Sequence, residues 1–151
     1  MKNPTFQTGN SFSNQSFELG HSRKVWRRID EQLPGGFVIK NAADFVGAGL
    51  VRSGMAVAYD TTEGAGAKDI KVITWSALKA AGSEGIDALG IIGFLQEDAV
   101  VVENGQATGS VVVKGEIYGY MLGDTADDAS AISAAVKAMS QKNGLSIRVV
   151  D

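Results

Sequence analysis

The side chains that could do chemistry are few and poorly grouped. His21 is the one histidine and there is no cysteine, which excludes thiol nucleophiles, zinc–thiolate sites and disulfides. A Ser-His-Asp arrangement would have to recruit His21 from a polar segment outside the expected core. Carboxylates gather at Glu97-Asp98 and at Asp124, Asp127 and Asp128. Neighbouring carboxylates at a strand end point to opposite faces, which suits paired acid–base work badly. The glycine runs "GAGLVRSG" (47–54) and "GSEGIDALG" (82–90) lack the Gly-Lys-Ser/Thr ending of a phosphate loop and read as turns. No catalytic residue, cofactor site or metal site is expected from these patterns, and a non-enzymatic protein is.

Residues suited to binding are better placed. In "VVVKGEIYGYM" (111–121), Val111, Val113, Ile117 and Met121 alternate with Lys114, Glu116, Tyr118 and Tyr120. A period of two with one apolar face marks a half-buried strand. Its other face carries two tyrosines, which offer large rigid area at small entropic cost. That face suits a self-association partner, a larger protein or a sugar, with Trp75 as a further ring; equally, the tyrosines fit as a half-buried pair inside the domain. A second candidate is basic. Arg23, Lys24, Arg27 and Arg28 are four of the 14 basic residues, and setting them aside leaves ten against 17 acidic groups, about −7. Such asymmetry suits docking to an acidic partner, or a solvated helix face. Nucleic acid fits less well, because one cluster on an acidic protein is not a broad basic surface.

The elements that must position these residues divide into three zones. Residues 1–20 are rich in Asn, Ser, Gln, Thr and Gly, yet hold Phe6, Phe12 and Phe17, half of the six phenylalanines. Spaced rings in a polar segment suit an arm that docks extended on a partner, as well as a frayed terminus. Residues 21–34 read as a short helix from Val25, Ile29 and Leu33, stopped by "PGG" at 34–36. From residue 36 the pattern is mainly β. Strands are expected at "GFVIK", "GMAVAYDTTEG", "DIKVITW", "ALGIIGFLQED" and finally "LSIRVV", the last at an edge. Asn104-Gly105 between Val-rich arms predicts a type I′ hairpin. Residues 76–89 read as a helical turn and a glycine-broken loop. One principal helix follows, capped by Thr125, with Asp127 and Asp128 at its positive end and Ile132, Val136 and Met139 on one face.

Nineteen glycines against two prolines fit tight turns in a β-rich domain better than a helical bundle. A length of 151 residues suits one core with an appended arm. The start of the chain lacks the apolar core of a secretory signal, and no apolar run nears the ~20 residues of a membrane helix. A soluble, non-exported chain without a membrane partner is expected.

The phrases "SGMAVAYDTT", "ALGIIGFLQEDA", "GSVVVKGEIYGYML", "DDASAISAAVKAM" and "GLSIRVV", in that order, resemble the head decoration proteins of tailed phages, with a lambda-like capsid decoration fold. They resemble more closely the head fiber proteins of phages of gut Bacteroidales. The likeness spans about residues 36–151 and rests on short glycine-based phrases. The segment "AGAKDIKVITWSALKAAGSEG" and the first 35 residues are long for a minimal decoration protein. The resemblance implies a homotrimeric, capsid-stabilising structural protein of the virion's outer capsid surface, assembled in the host cytoplasm. It implies the major capsid protein as partner of an anchor over residues 1–35, with 36–151 as the decoration or head fiber domain. Phe6, Phe12, Phe17, Arg23, Lys24, Arg27 and Arg28 would then meet the capsid, while Tyr118, Tyr120 and Trp75 stay a candidate face for self-association or for a ligand. The alternative is a displayed module binding a receptor or host-surface glycan.

Overall fold

The computed structural model describes residues 24–102, 104–142 and 144–151. Phe6, Phe12, Phe17, His21 and Arg23 lie outside them. The described chain is β-rich, a curled half-barrel sheet with two helices. Its strands are β1 (Trp26–Gln32), β2 (Phe37–Ile39), β3 (Leu50–Val51), β4 (Ala56–Tyr59), β5 (Asp69–Val72), β6 (Ile91–Leu95), β7 (Ala99–Val100), β8 (Thr108–Gly109), β9 (Val111–Tyr118) and β10 (Ser146–Val150). Helix α1 is Trp75–Gly85 and α2 is Ala126–Ala138. The main sheet runs β1-β9-β6-β4-β5-β2-β8, with β10 also on β9; β3 and β7 form a separate pair.

Strand β9 organises this sheet. It pairs antiparallel with β1 along Trp26↔Ile117 to Gln32↔Val112, and parallel with β10 along Ser146↔Lys114 to Val150↔Tyr118. At its start it also pairs with β6, Phe94↔Val112 and Leu95↔Val111. Because β6 holds one end of β9 and β10 the other, the sheet forks near Val113. Both faces of β9 are covered, and within the strand only Lys114 is exposed and Tyr118 half-buried. The expected half-buried strand is therefore close to a central one.

The basic segment is a strand, which corrects the helix expected over 21–34. Val25, Ile29 and Leu33 are four apart, and an even spacing fits one face of a strand as well as one face of a helix. Pairing with β9 decides between them. Val25 and Trp26 are buried, and the Trp26 indole N–H donates to the carbonyl of Leu95 at 2.9 Å. Strand β1 belongs to the same sheet as the strands after residue 35. Two tight approaches fix this region. A Cβ on Gly115 would come within 2.5 Å of the carbonyl oxygen of Arg28, and one on Gly93 within 2.6 Å of that of Val112.

The segment after β5 is likewise more regular than expected. Helix α1 starts at Thr74, whose hydroxyl oxygen accepts from the N–H of Ala77 at 3.2 Å, and it buries Trp75 and Leu78. Gly82, at φ 59, interrupts the helical geometry, which is why the sequence reads as broken there. Helical turns resume beyond the kink, through Gly85. So there are two helices rather than one. They are joined across their surfaces by Lys79 and Asp128, 2.6 Å apart, each holding the other's charge: the lysine above its ordinary pKa and the carboxylate below. Helix α2 begins as expected, the Thr125 oxygen accepting from the N–H of Asp128 at 3.1 Å, and ends at Ala138.

Asn104-Gly105 does turn the chain, with the N–H of Val102 donating to the carbonyl of Gln106 at 3.0 Å. The arms then part, correcting the expected hairpin. Ala99–Val100 pairs with β3 and Thr108–Gly109 with β2. Local turn chemistry closed the loop, and separate partners claimed its arms.

Substituting Gly115→Ala forces β1 off β9 and is expected to cost about 2–3 kcal/mol, whereas Gly64→Ala, with open space around it, pays only the cost of its positive φ. Urea denaturation of both variants checks the difference.

Candidate functional site: an arginine–tyrosine sheet face

The register of β1, β9 and β10 brings Arg27, Arg28 and Tyr118 onto one face, while Tyr120 lies beyond β9 in a 3-10 turn over Gly119–Met121. Arg28 of β1 and Arg148 of β10 both stand opposite Glu116, the central residue of a three-strand row. A bulge between Trp26 and Arg28 inserts Arg27 at the same place, so that it also reaches Glu116. Nη1 of Arg27, Nη2 of Arg28 and Nη1 of Arg148 lie 3.6, 3.7 and 3.7 Å from the Glu116 carboxylate. The glutamate side chain is 10% exposed, while the arginines are 54, 61 and 79% exposed. Arg28 also pairs with Asp30 at 2.9 Å, which holds the guanidinium above its ordinary pKa ahead of the contribution from Glu116.

Two residues beyond Glu116 on the same face of β9 stands Tyr118, whose backbone N–H donates to Val25 at 2.9 Å. Its ring lies 5.4 Å from that of Tyr120, tilted by 45°. Tyr120 is the most exposed large hydrophobic side chain among the described residues, at 61%. It borders a shallow cleft of about 500 Å³ with Gly119, Ser130, Ser133 and Asp151. Lys24 is exposed just before β1. Trp75, expected as a further ring on this surface, is 7% exposed and packs in the core at the start of α1, so it is withdrawn from the site. Aromatic anchoring of α1 outweighed any surface use of the ring.

Other groups read from the sequence have structural work. Asp98 accepts from the backbone N–H of Ser53 at 2.6 Å and lies 3.5 Å from Arg52, with its side chain 5% exposed. It fastens the turn before β4, while Glu97 faces solvent. Asp87 accepts both the backbone N–H and the hydroxyl of Ser140, each at 2.8 Å, and these bonds hold its carboxyl below the ordinary range. It lines a cleft of about 340 Å³ at the fork of the sheet, among Leu33, Ile91, Ile92, Val113 and Leu145. Among the described residues no three His, Asp or Glu side chains group as a metal ion would need, and no helix is long and apolar enough to cross a membrane.

Sequence reasoning missed Arg148 and the central role of Glu116. The alternation in "LSIRVV" places Arg148 on a polar face, but only the pairing of β10 with β9 brings it beside Arg27 and Arg28. Comparison with protein-family models, curated proteins and solved structures gave no match.

The geometry makes Glu116 dependent on its arginines. Replacing Arg27, Arg28 and Arg148 together with Ala removes the charges that compensate Glu116 and is expected to lower stability only modestly, because the carboxylate gains water as the three exposed side chains are truncated. Adding Glu116→Gln should recover most of that loss, which a double-mutant cycle in urea measures.

Proposed function

We propose that this chain is a non-enzymatic structural protein of a phage virion, a capsid decoration or head fiber protein that attaches to the outer capsid surface and self-associates there. The motif order from "SGMAVAYDTT" to "GLSIRVV" supports the family, and the β-rich body suits a rigid block. The observation that carries a binding role is the convergence of three exposed arginines, Arg27, Arg28 and Arg148, on one face of the sheet beside the half-buried Tyr118. Tyrosine and arginine are the side chains most often found as anchors in protein interfaces. Many copies held by modest contacts attach firmly through avidity.

Co-sedimentation with cognate capsids tests this. The full chain is expected to pellet with capsids, and so is a version lacking residues 1–23 to the extent that the sheet face contributes. A deletion to residue 35 is unsuitable, because it removes β1. Failure of the full chain to pellet would sink the proposal.

A glycan-binding module is the second reading, favoured by Tyr120, exposed beside its cleft. In that case Tyr120→Ala abolishes retention on a glycan array while Tyr59→Ala, at an exposed ring elsewhere, does not.

A further inference from the structure

Building on the capsid-attachment reading, we infer that the folded sheet itself carries a carboxylate-binding dock: Arg27, Arg28 and Arg148, gathered around Glu116, receive a short acidic segment of a partner polypeptide.

The grouping has the marks of a prepared site. Three guanidiniums from two strands that are remote in sequence converge on one buried carboxylate, and all stay more than half exposed. At 3.6–3.7 Å from Glu116 they are attracted by it but lie beyond ordinary hydrogen-bond distance. Each guanidinium carries five N–H donors in a planar fork matched to a carboxylate. Arg28 commits its Nε to Asp30 at 2.9 Å. The donors of Arg27 and Arg148 face no such partner at hydrogen-bond distance in any ion pair of the described residues. Glu116 is thus a positioning residue, holding three like charges together that would otherwise repel.

Charge and size choose the ligand. Three guanidiniums against Glu116 and Asp30 leave a positive patch on a chain whose formal charge is −3, so an acidic partner is drawn to this face and repelled elsewhere. The row spans three strands, about 10 Å at the usual strand spacing. That matches a few residues of extended polypeptide. Asp30 and Glu31 beside it disfavour a long uniform polyanion such as nucleic acid, which places a charge every ~1.7 Å along a duplex. Tyr118, on the same face, adds apolar contact beside the charges.

The probe is fluorescein-labelled decaglutamate, followed by anisotropy with the full chain. Saturable binding at about 20 mM salt is expected, weakening roughly tenfold as salt rises to about 0.2 M. Arg27→Gln with Arg148→Gln should weaken it about tenfold, and the Lys pair at the same positions should fall between, keeping charge but losing the fork. Should the Gln pair fold poorly, the same pair in a Glu116→Gln background, compared with Glu116→Gln alone, reads the loss without the stranded carboxylate. No binding by the wild-type chain, equal binding by the Gln pair, or tighter binding of a labelled oligothymidine would each overturn the inference. If decaglutamate fails to bind while capsids still pellet the protein, the dock is wrong and capsid attachment stands. If decaglutamate binds through these arginines and capsids do not pellet the protein, the dock stands without the capsid.

Discussion

One strand holds hydrogen bonds to three others, and most of the molecule follows from that arrangement. β9 is bounded by β1 along one edge and by β6 and then β10 along the other. Sharing an edge between two strands forces them to diverge, which curls the sheet and opens the fork lined by Val113. It also explains why the strand tolerates no bulk at Gly115, where the carbonyl of Arg28 would meet a Cβ. The N-terminal and C-terminal strands are tied to the same element, so local order at either end depends on β9 having formed. Long-range pairings of this kind come late and slowly in folding, because the loop closure precedes the contacts that reward it.

The polar row follows from the same pairing. A buried carboxylate is expensive alone, and Glu116 is tolerable because two neighbouring strands put guanidiniums over it. Placing opposite charges directly across a strand pair favours one register over a slip by one residue, which would turn Arg148 and Arg28 to the other face. The charges of this surface thus also specify the sheet.

How much of this was legible depended on whether the signal was local. The strands over 37–39, 56–59, 69–72, 91–95 and 146–150 and the capped helix over 126–138 could be read from alternation, caps and turn residues. Val25, Ile29 and Leu33 could not be read correctly, because their spacing serves both periodicities and only β9 chooses. In α1, Gly82 does break the helical geometry as its sequence suggests, but the helical turns that continue beyond it were not legible. Asn104-Gly105 announced its turn faithfully, yet could not say that Ala99 and Thr108 would find other strands. At the candidate site the basic residues and the tyrosines were visible as separate sets. Their meeting, and the arrival of Arg148 from the far end of the chain, were invisible because register across strands is not written in any one of them.

The outer margin of β1 has a further meaning. Its pairing with β9 shifts register at three places within seven residues, between Trp26 and Arg28, between Ile29 and Glu31, and between Glu31 and Gln32. A strand so uneven, and studded with Arg27, Arg28, Asp30 and Glu31, offers poor footing for a foreign strand to continue the ladder. Two molecules meeting at this margin can therefore lie edge against edge without their sheets fusing into one.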